Sequence, residues 1–322
     1  MKRAPAFWRR DGLAPRLLAP IATFYGAIAA RRLIQSAPRA PLPTIVVGGP
    51  TIGGDGKTPL AIAVATRLVA IGARPALITR GYGRSLHGRA PVLVDPASHD
   101  ARLVGDEALL LARVAPTIVC ADRTAGARFA ADIGATVLVL DDGFHSRALA
   151  PDLALLAIDA DYGAGNGSCL PAGPLRAPLD AQLATADALV TIGDGVAGAA
   201  VVHGFEKSVF RARLAPDPVV AIGLAGARVV AFAGIARPEK FFRTLREIGA
   251  EAVATQAFPD HHVFAPYEIE RLYTFAQSHQ ARLITTEKDA ARGANVECLP
   301  VKLEFDEPDI IDALLAGVMR AR

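Results

Sequence analysis

Thr44-Ile45-Val46-Val47-Gly48-Gly49-Pro50-Thr51-Ile52-Gly53-Gly54-Asp55-Gly56-Lys57-Thr58-Pro59-Leu60 passes from a β-branched apolar run, through glycines, into a helix-like run that continues to Val69. A strand, a glycine-rich turn and a helix in that order have the form of a phosphate-binding P-loop. Nucleotide phosphates need several backbone N–H donors at close range, and glycines let the chain curl around them with no Cβ in the way. Thr51, Ile52, Gly53, Gly54, Asp55, Gly56, Lys57 and Thr58 are therefore the candidate nucleotide-binding residues. Lys57 supplies a point charge for the β- and γ-phosphates of ATP, and the Thr58 hydroxyl is suited to Mg²⁺. Pro59 fits the first helical turn, where its missing N–H costs little. The pattern usually opens with Gly where this chain has Thr51, so a plain glycine-rich turn is the competing reading. The agreement of strand, Gly-Lys-Thr and helix favours the P-loop.

Farther along, Thr136-Val137-Leu138-Val139-Leu140-Asp141-Asp142-Gly143 is an apolar strand ending in two acids. Beside a P-loop this is the expected second half of a Mg²⁺ site. Before it, Pro75–Thr79 reads as a buried strand followed by Arg80-Gly81-Tyr82-Gly83-Arg84, which suits either an anion-facing loop or a solvated turn. Gly105-Asp106-Glu107 puts two carboxylates at a helix start, where capping and chemistry are both open. Arg123 opens another helix, facing phosphate or solvent, and Leu170-Pro171-Ala172-Gly173-Pro174-Leu175-Arg176 makes a rigid non-helical loop able to position Arg176 on a phosphate. Strands alternate with helices throughout, which predicts an α/β fold of P-loop NTPase type with a mostly parallel sheet covered on both faces. The layout expected is a basic apolar segment over 1–40, a P-loop domain over 41–200, a hairpin-like linker over 201–227 and a smaller α/β unit over 228–322. In the last of these, Asp260-His261-His262 and Thr286-Glu287-Lys288-Asp289 stand out. The second reads as a capping box.

The 322 residues are 52% hydrophobic, ample for packed cores, and the net charge of +3 hides an uneven distribution. Residues 1–40 hold eight Lys or Arg against the single acid Asp11, so the basic charge is local and does not have the spread of a nucleic-acid binder. Within that segment Leu17–Ala30 is apolar and flanked by Arg16 and Arg31-Arg32. Its fourteen residues fall short of the about 20 that a bilayer span needs, and Pro20 would disturb a helix. The expectation is a helix in the membrane interface, its arginines on anionic lipid and Phe7, Trp8, Phe24 and Tyr25 at headgroup depth; a plain core helix is the alternative. Cys120, Cys169 and Cys298 are widely spaced and read as free thiols.

These motifs, in this order, resemble the tetraacyldisaccharide 4′-kinase family over nearly the whole chain. Carrying the resemblance are the 51–58 loop, Arg80-Gly-Tyr-Gly, Gly105-Asp-Glu, Asp141-Asp-Gly-Phe, Gly165-Asn-Gly with Leu170-Pro-Ala-Gly-Pro-Leu-Arg, Phe232-Ala-Gly-Ile with Arg237-Pro-Glu-Lys, Phe258-Pro-Asp-His, and Thr286-Glu-Lys-Asp. The resemblance implies transfer of the ATP γ-phosphoryl group to the 4′-hydroxyl of an acylated disaccharide 1-phosphate, at the cytoplasmic face of a bacterial inner membrane, by a peripheral enzyme with no obligatory protein partner. By the same resemblance Asp106 becomes the base with His261 as its partner. Lys57, Arg123 and Arg176 meet the phosphate charge, and Thr58, Asp141, Asp142 and Glu107 the Mg²⁺. The chain departs from the family pattern at His145-Ser146, where Gln-His is usual, at Ala177, where an acid is usual, and at Pro50. A membrane-recruited P-loop NTPase switch and a kinase of a soluble sugar are the other functions compatible with these residues.

Overall fold

The computed structural model describes residues 4–83, 85, 88 and 90–321; Arg84 of the sequence reading lies outside them. A 3-10 turn, Ala6–Arg9, leads into α1 (Leu13–Leu33). There follow β1 (Thr44–Gly48), α2 (Lys57–Ala70), β2 (Pro75–Thr79), β3 (Val92–Leu93), α3 (Ala101–Val104), α4 (Asp106–Ala112), β4 (Thr117–Val119), α5 (Arg123–Asp132) and β5 (Val137–Leu140). Next come β6 (Leu153–Asp159), α6 (Leu179–Thr185), β7 (Ala188–Ile192), α7 (Ala197–Val202), β8 (Ser208–Pro216) and α8 (Pro218–Leu224). The second part has β9 (Arg228–Ala233), α9 (Pro238–Glu247), β10 (Glu251–Ala257), α10 (Pro266–Ser278), β11 (Arg282–Thr286), α11 (Glu287–Asp289), a π-type turn Ala290–Ala294 and β12 (Glu297–Leu299). The chain ends with β13 (Val301–Phe305) and α12 (Pro308–Arg320).

Nine strands form the larger sheet in the order β13-β8-β7-β6-β1-β5-β2-β4-β3. It is parallel except at its two edges, where β13 runs against β8 and β3 against β4. Side chains of a strand alternate between faces, and here both faces are covered. Ile45 and Val47 of β1 join one core with Leu60, Val64 and Leu68 of α2, while Val46 joins the other with Leu138 and Ile158. That two-sided burial is why β1 and β6 read as unbroken apolar runs. β1 lies between β5 and β6, so the P-loop leaving β1 meets Asp141 at the end of β5 and Asp159 at the end of β6. The smaller sheet, β10-β9-β11-β12, is wholly parallel, with apolar cores on both sides of β9.

Two parts of the expected layout differ from the structure. Residues 201–227 do not form a hairpin: β8 is a single strand, parallel to β7, and Asp217 caps α8 through Val219 N and Val220 N, with Pro218 in the first helical turn. Nor do the last residues stay with the smaller sheet. β13 pairs antiparallel with β8, and Ile311, Leu315 and Val318 of α12 pack into the core over α2. Asp312 grips Arg67 of α2 through both carboxylate oxygens, fixing α12 to the larger sheet. The short alternation Val301-Lys302-Leu303-Glu304-Phe305 gave the sequence no sign of so distant a partner.

The N-terminal helix also departs from expectation. It runs 21 residues without a break at Pro20, taking in residues 13–16 and 31–33 on either side of the apolar run; by length and composition α1 is able to cross a membrane. One stripe, Pro15, Ala22, Gly26 and Leu33, is buried, and a Cβ at Gly26 would lie 3.1 Å from the Cys169 sulfur. The opposite stripe of Leu13, Leu17, Ile21, Phe24 and Ile28 is exposed. Trp8 and Phe7 are half-buried and not free to move to a headgroup layer alone: the Trp8 indole donates to Pro171 O at 3.1 Å, and Phe7 O accepts from the Asn166 amide at 3.2 Å.

Candidate active site

The P-loop owes its shape to three left-handed glycines, Gly53 (φ 76°), Gly54 (φ 79°) and Gly56 (φ 85°), the last leading directly into α2. Its first residues act as supports and are turned from the phosphate site. Thr51 is fully buried, its N–H donates to Asp55 Oδ2 at 2.9 Å and its hydroxyl to Asp55 Oδ1. Ile52 N–H is taken by Pro174 O at 3.0 Å. Thr51 N–H and hydroxyl, Ile52 N–H and the Asp55 side chain, all expected to serve the nucleotide, are thus engaged within the protein and set the curvature of the loop. Lys57 at the start of α2 reaches toward Asp142 (3.9 Å), and Thr58 Oγ1 donates to Asp141 Oδ2 at 3.1 Å.

Asp141 and Asp142 follow β5 directly, and Asp142 takes a left-handed φ of 52°. Asp141 is buried, and its Oδ1 has no hydrogen-bond partner among the described residues. Burial, with the Glu107 and Asp142 charges adding to it, pushes the Asp141 carboxyl up to about 7. An orphaned buried carboxylate oxygen beside a Thr hydroxyl, with two further acids near enough to raise it, fits a divalent cation. No cluster of three or more His, Cys, Asp or Glu with metal-holding geometry occurs among the described residues. Mg²⁺ needs no such cluster, since it is commonly bound through one or two carboxylates together with substrate phosphates and water. Asp142 is pulled the other way: burial would raise it, but Lys57 and Arg176 hold it below the usual range.

Arg176 comes to the same place from the Gly/Pro loop, donating to Asp142 Oδ2 (3.2 Å) and Thr51 O (3.1 Å). Arg123 does not. Its side chain is buried under the strand ends, with Nη1 donating to Ile78 O at 2.8 Å and Nη2 reaching Asp141 O at 3.4 Å. Burial and the neighbouring Arg80 lower it to about 10. Arg123 therefore braces β2 against β5, and its expected contact with phosphate is corrected.

Asp106 begins α4 after Gly105, which has a φ of 92° and where an added Cβ would lie 3.1 Å from Tyr82 O and 3.2 Å from the Gly81 backbone. Asp106 is buried; the N-cap of α4 is Gly105, and Asp106 Oδ1, one residue inside the helix, accepts Glu107 N–H at 2.9 Å. Its Oδ2 faces the smaller sheet, with Arg292 Nε at 2.6 Å, His261 Nδ1 at 3.4 Å and Lys288 Nζ at 3.9 Å. Burial alone would raise this carboxyl, but the His261 hydrogen bond and the Lys288 and Arg292 charges hold it well below the usual range. Asp106 is thus an ionised acceptor at neutral pH. Lys288 also binds Glu107 Oε1 at 2.9 Å, joining the two carboxylates of α4. His261 sits at a left-handed φ of 58°, its ring 5.0 Å from that of Tyr82. His262 turns away to Glu268 (2.9 Å), which caps α10.

A family model described as tetraacyldisaccharide-1-P 4′-kinase matches residues 14–319. The chain belongs to the tetraacyldisaccharide 4′-kinase family. Proteins named tetraacyldisaccharide 4′-kinase from Methylobacterium sp. (strain 4-46) and Xanthobacter autotrophicus (strain ATCC BAA-1158 / Py2) are 49% and 48% identical to it. The first alignment covers 99% of each chain, and the second 97% of this chain and 96% of the relative. In fold it is similar to LpxK from Aquifex aeolicus, solved in complex with ATP (TM-score 0.73, 24% identity, 95% of this chain and 100% of that one).

For this 4′-kinase family member, sequence reasoning missed residues that gather around Asp106. Arg292 carried no motif signal at all, yet it touches Asp106, Asp289 Oδ1 (2.7 Å) and Gly234 O (2.6 Å). Lys288 and Asp289 lie in Thr286-Glu287-Lys288-Asp289, a stretch whose sequence reads as a capping box. Thr286 does accept Asp289 N–H at 3.2 Å, so the cap is real and the charges it presents are additional. Arg237 opens the Arg237-Pro-Glu-Lys motif, whose sequence points to no particular contact.

Proposed function

We propose that this kinase transfers the γ-phosphoryl group of ATP to the 4′-hydroxyl of a tetraacylated disaccharide 1-phosphate, with Asp106 accepting the hydroxyl proton. The observation that carries the reading is the position of Asp106: an ionised, buried carboxylate whose neighbour Glu107 shares Lys288 with it and lies close enough to Asp141 to raise it. Acceptor activation and the phosphate-and-metal side are thereby adjacent. In the reaction the 4′-oxygen forms a bond to Pγ as the bond from Pγ to the β,γ-bridging oxygen breaks, the proton passes to Asp106 and ADP leaves. A carboxylate held at low pKa suffices, because phosphoryl transfer runs through a loose transition state in which positioning and charge neutralisation dominate. Lys57 and Arg176 neutralise phosphate charge, and His261 orients Asp106 and receives the proton's charge in its turn. Thr58, Asp141 and Glu107 are the residues suited to hold Mg²⁺, which when bound supplies further neutralisation of the phosphate oxygens.

The exposed stripe of α1, with Arg16, Arg31 and Arg32 exposed beside it, supports work at the cytoplasmic face of the inner membrane. A substrate with four acyl chains stays in the bilayer, so the enzyme must come to it. The test is incubation of the purified protein with labelled ATP, Mg²⁺ and the tetraacyldisaccharide 1-phosphate dispersed in anionic vesicles. Label is expected in the lipid, and Leu17→Asp with Phe24→Asp is expected to lower vesicle binding and raise the apparent KM for lipid by about tenfold or more. ATP hydrolysis with unlabelled lipid would instead favour the nucleotide switch, and equal vesicle binding by the double variant would remove α1 as the membrane contact.

A further inference from the structure

The inner curve of the P-loop is left for phosphates, while its outer curve is held by one side chain from the other sheet. Arg237, immediately before α9, donates through Nη2 to Gly53 O (3.2 Å), Thr51 Oγ1 (3.3 Å) and Asp55 Oδ1 (3.3 Å). Its Nη1 donates to Gly54 O at 3.1 Å and pairs with Asp159 Oδ2. The guanidinium lies 3.9 Å over the Tyr162 ring, and Lys240 on α9 completes the buried Asp159 carboxylate at 2.7 Å. A Cβ on Gly54 would fall 2.7 Å from Arg237 Nε, so glycine here serves the approach of the arginine as well as the turn.

In a planar trans peptide the C=O and the following N–H point in opposite directions. Drawing the Gly53 and Gly54 carbonyls outward onto Arg237 therefore aims the N–H groups of Gly54 and Asp55 inward, toward the concave side of the loop. We propose that Arg237 is a positioning residue of the nucleotide site, setting the direction of these two amides and so the affinity for ATP phosphates. A planar fork with five donors meets two carbonyls, a hydroxyl and two carboxylates at once; a lysine ammonium in the same place cannot. The proposal rests on the P-loop being the nucleotide site.

The experiment is calorimetric titration of the full-length protein with a non-hydrolysable ATP analogue and Mg²⁺, for wild type, Arg237→Lys and Lys240→Gln. Lys240 shares Asp159 with Arg237 but touches no part of the P-loop among the described contacts, so it controls for general loosening between the sheets. Arg237→Lys should weaken analogue binding by about tenfold or more, and Lys240→Gln by less than about twofold, since only the first removes charge-assisted bonds to the loop. At saturating ATP, kcat of Arg237→Lys should stay within about threefold of wild type, because the reacting groups are untouched. Binding by Arg237→Lys within about twofold of wild type, or equal weakening in Lys240→Gln, would overturn the proposal. Wild type that binds no analogue would instead sink the nucleotide-site reading beneath it. Should Arg237→Lys not fold, Arg237→Gln with Asp159→Asn, which removes the cation together with one of its buried carboxylates, is held to the same thresholds.

Discussion

The phosphate side of the site and its acceptor side are built on different plans. The first is made of consecutive residues, Gly53 to Thr58, and acts largely through backbone; the second gathers Asp106, His261, Lys288 and Arg292 from two sheets, with Arg292 186 positions from Asp106. Backbone chemistry demands glycines at fixed places and leaves a pattern in the sequence. Side-chain chemistry demands only that charges meet in space, and each partner can come from anywhere. The phosphate side also carries net demand for a cation, seen in the raised Asp141, whereas the acceptor side is already neutralised by His261, Lys288 and Arg292.

If the two plans do separate tasks, variants on each side should fail differently. Lys57→Ala should lower kcat/KM on the order of 10³-fold or more, with ATP binding weakened as well, since its charge serves the phosphates in ground and transition states. Asp106→Asn should lower kcat by about 10² to 10⁴-fold while leaving the Kd for ATP near that of wild type. Steady-state kinetics with the lipid acceptor, alongside analogue binding, separates the two signatures. A loss of ATP affinity in Asp106→Asn as large as in Lys57→Ala would join the two sides into one unit and break the comparison.

The contrast also explains what the sequence made legible. The glycines of the P-loop and the acids closing β5 could be placed because each depends on its immediate neighbours, and the alternation of apolar runs followed from burial on both faces of a parallel sheet. Arg123, opening a helix, and Arg176, in a Gly/Pro loop, were equally open to a phosphate contact in the sequence. One is buried against Ile78 O and Asp141 O and the other reaches Asp142 at the site, a difference decided by packing across elements. Arg292 follows a cap whose local purpose was visible and whose outward charge was not. The return of β13 and α12 to the larger sheet was hidden for the same reason: five alternating residues do not name a partner some ninety positions away.

His145 offers the gentlest way to sharpen the comparison, because it borders the phosphate side without a bond to the loop. Its Nε2 meets Gln182 Oε1 at 2.8 Å, while Gln182 donates to Ala177 O at 2.6 Å, tying the histidine to the segment that carries Arg176. Burial, aided by the Arg176 charge, lowers His145 to about 4. An unfolded histidine takes up its proton near pH 6.5, so between about pH 6.5 and 4 the unfolded chain binds a proton that the folded chain refuses. His145 therefore subtracts stability as pH falls through that window and has no effect above it. Gln at this position does not titrate and keeps an amide for Gln182. His145→Gln should consequently flatten the fall in Tm between pH 7 and 5 by about a few degrees relative to wild type, with kcat at pH 8 little changed. Differential scanning calorimetry across that range decides it. Parallel Tm curves would mean that His145 is charged, or solvated, in the folded protein, and that the phosphate side extends to include it as a cation facing Asp142.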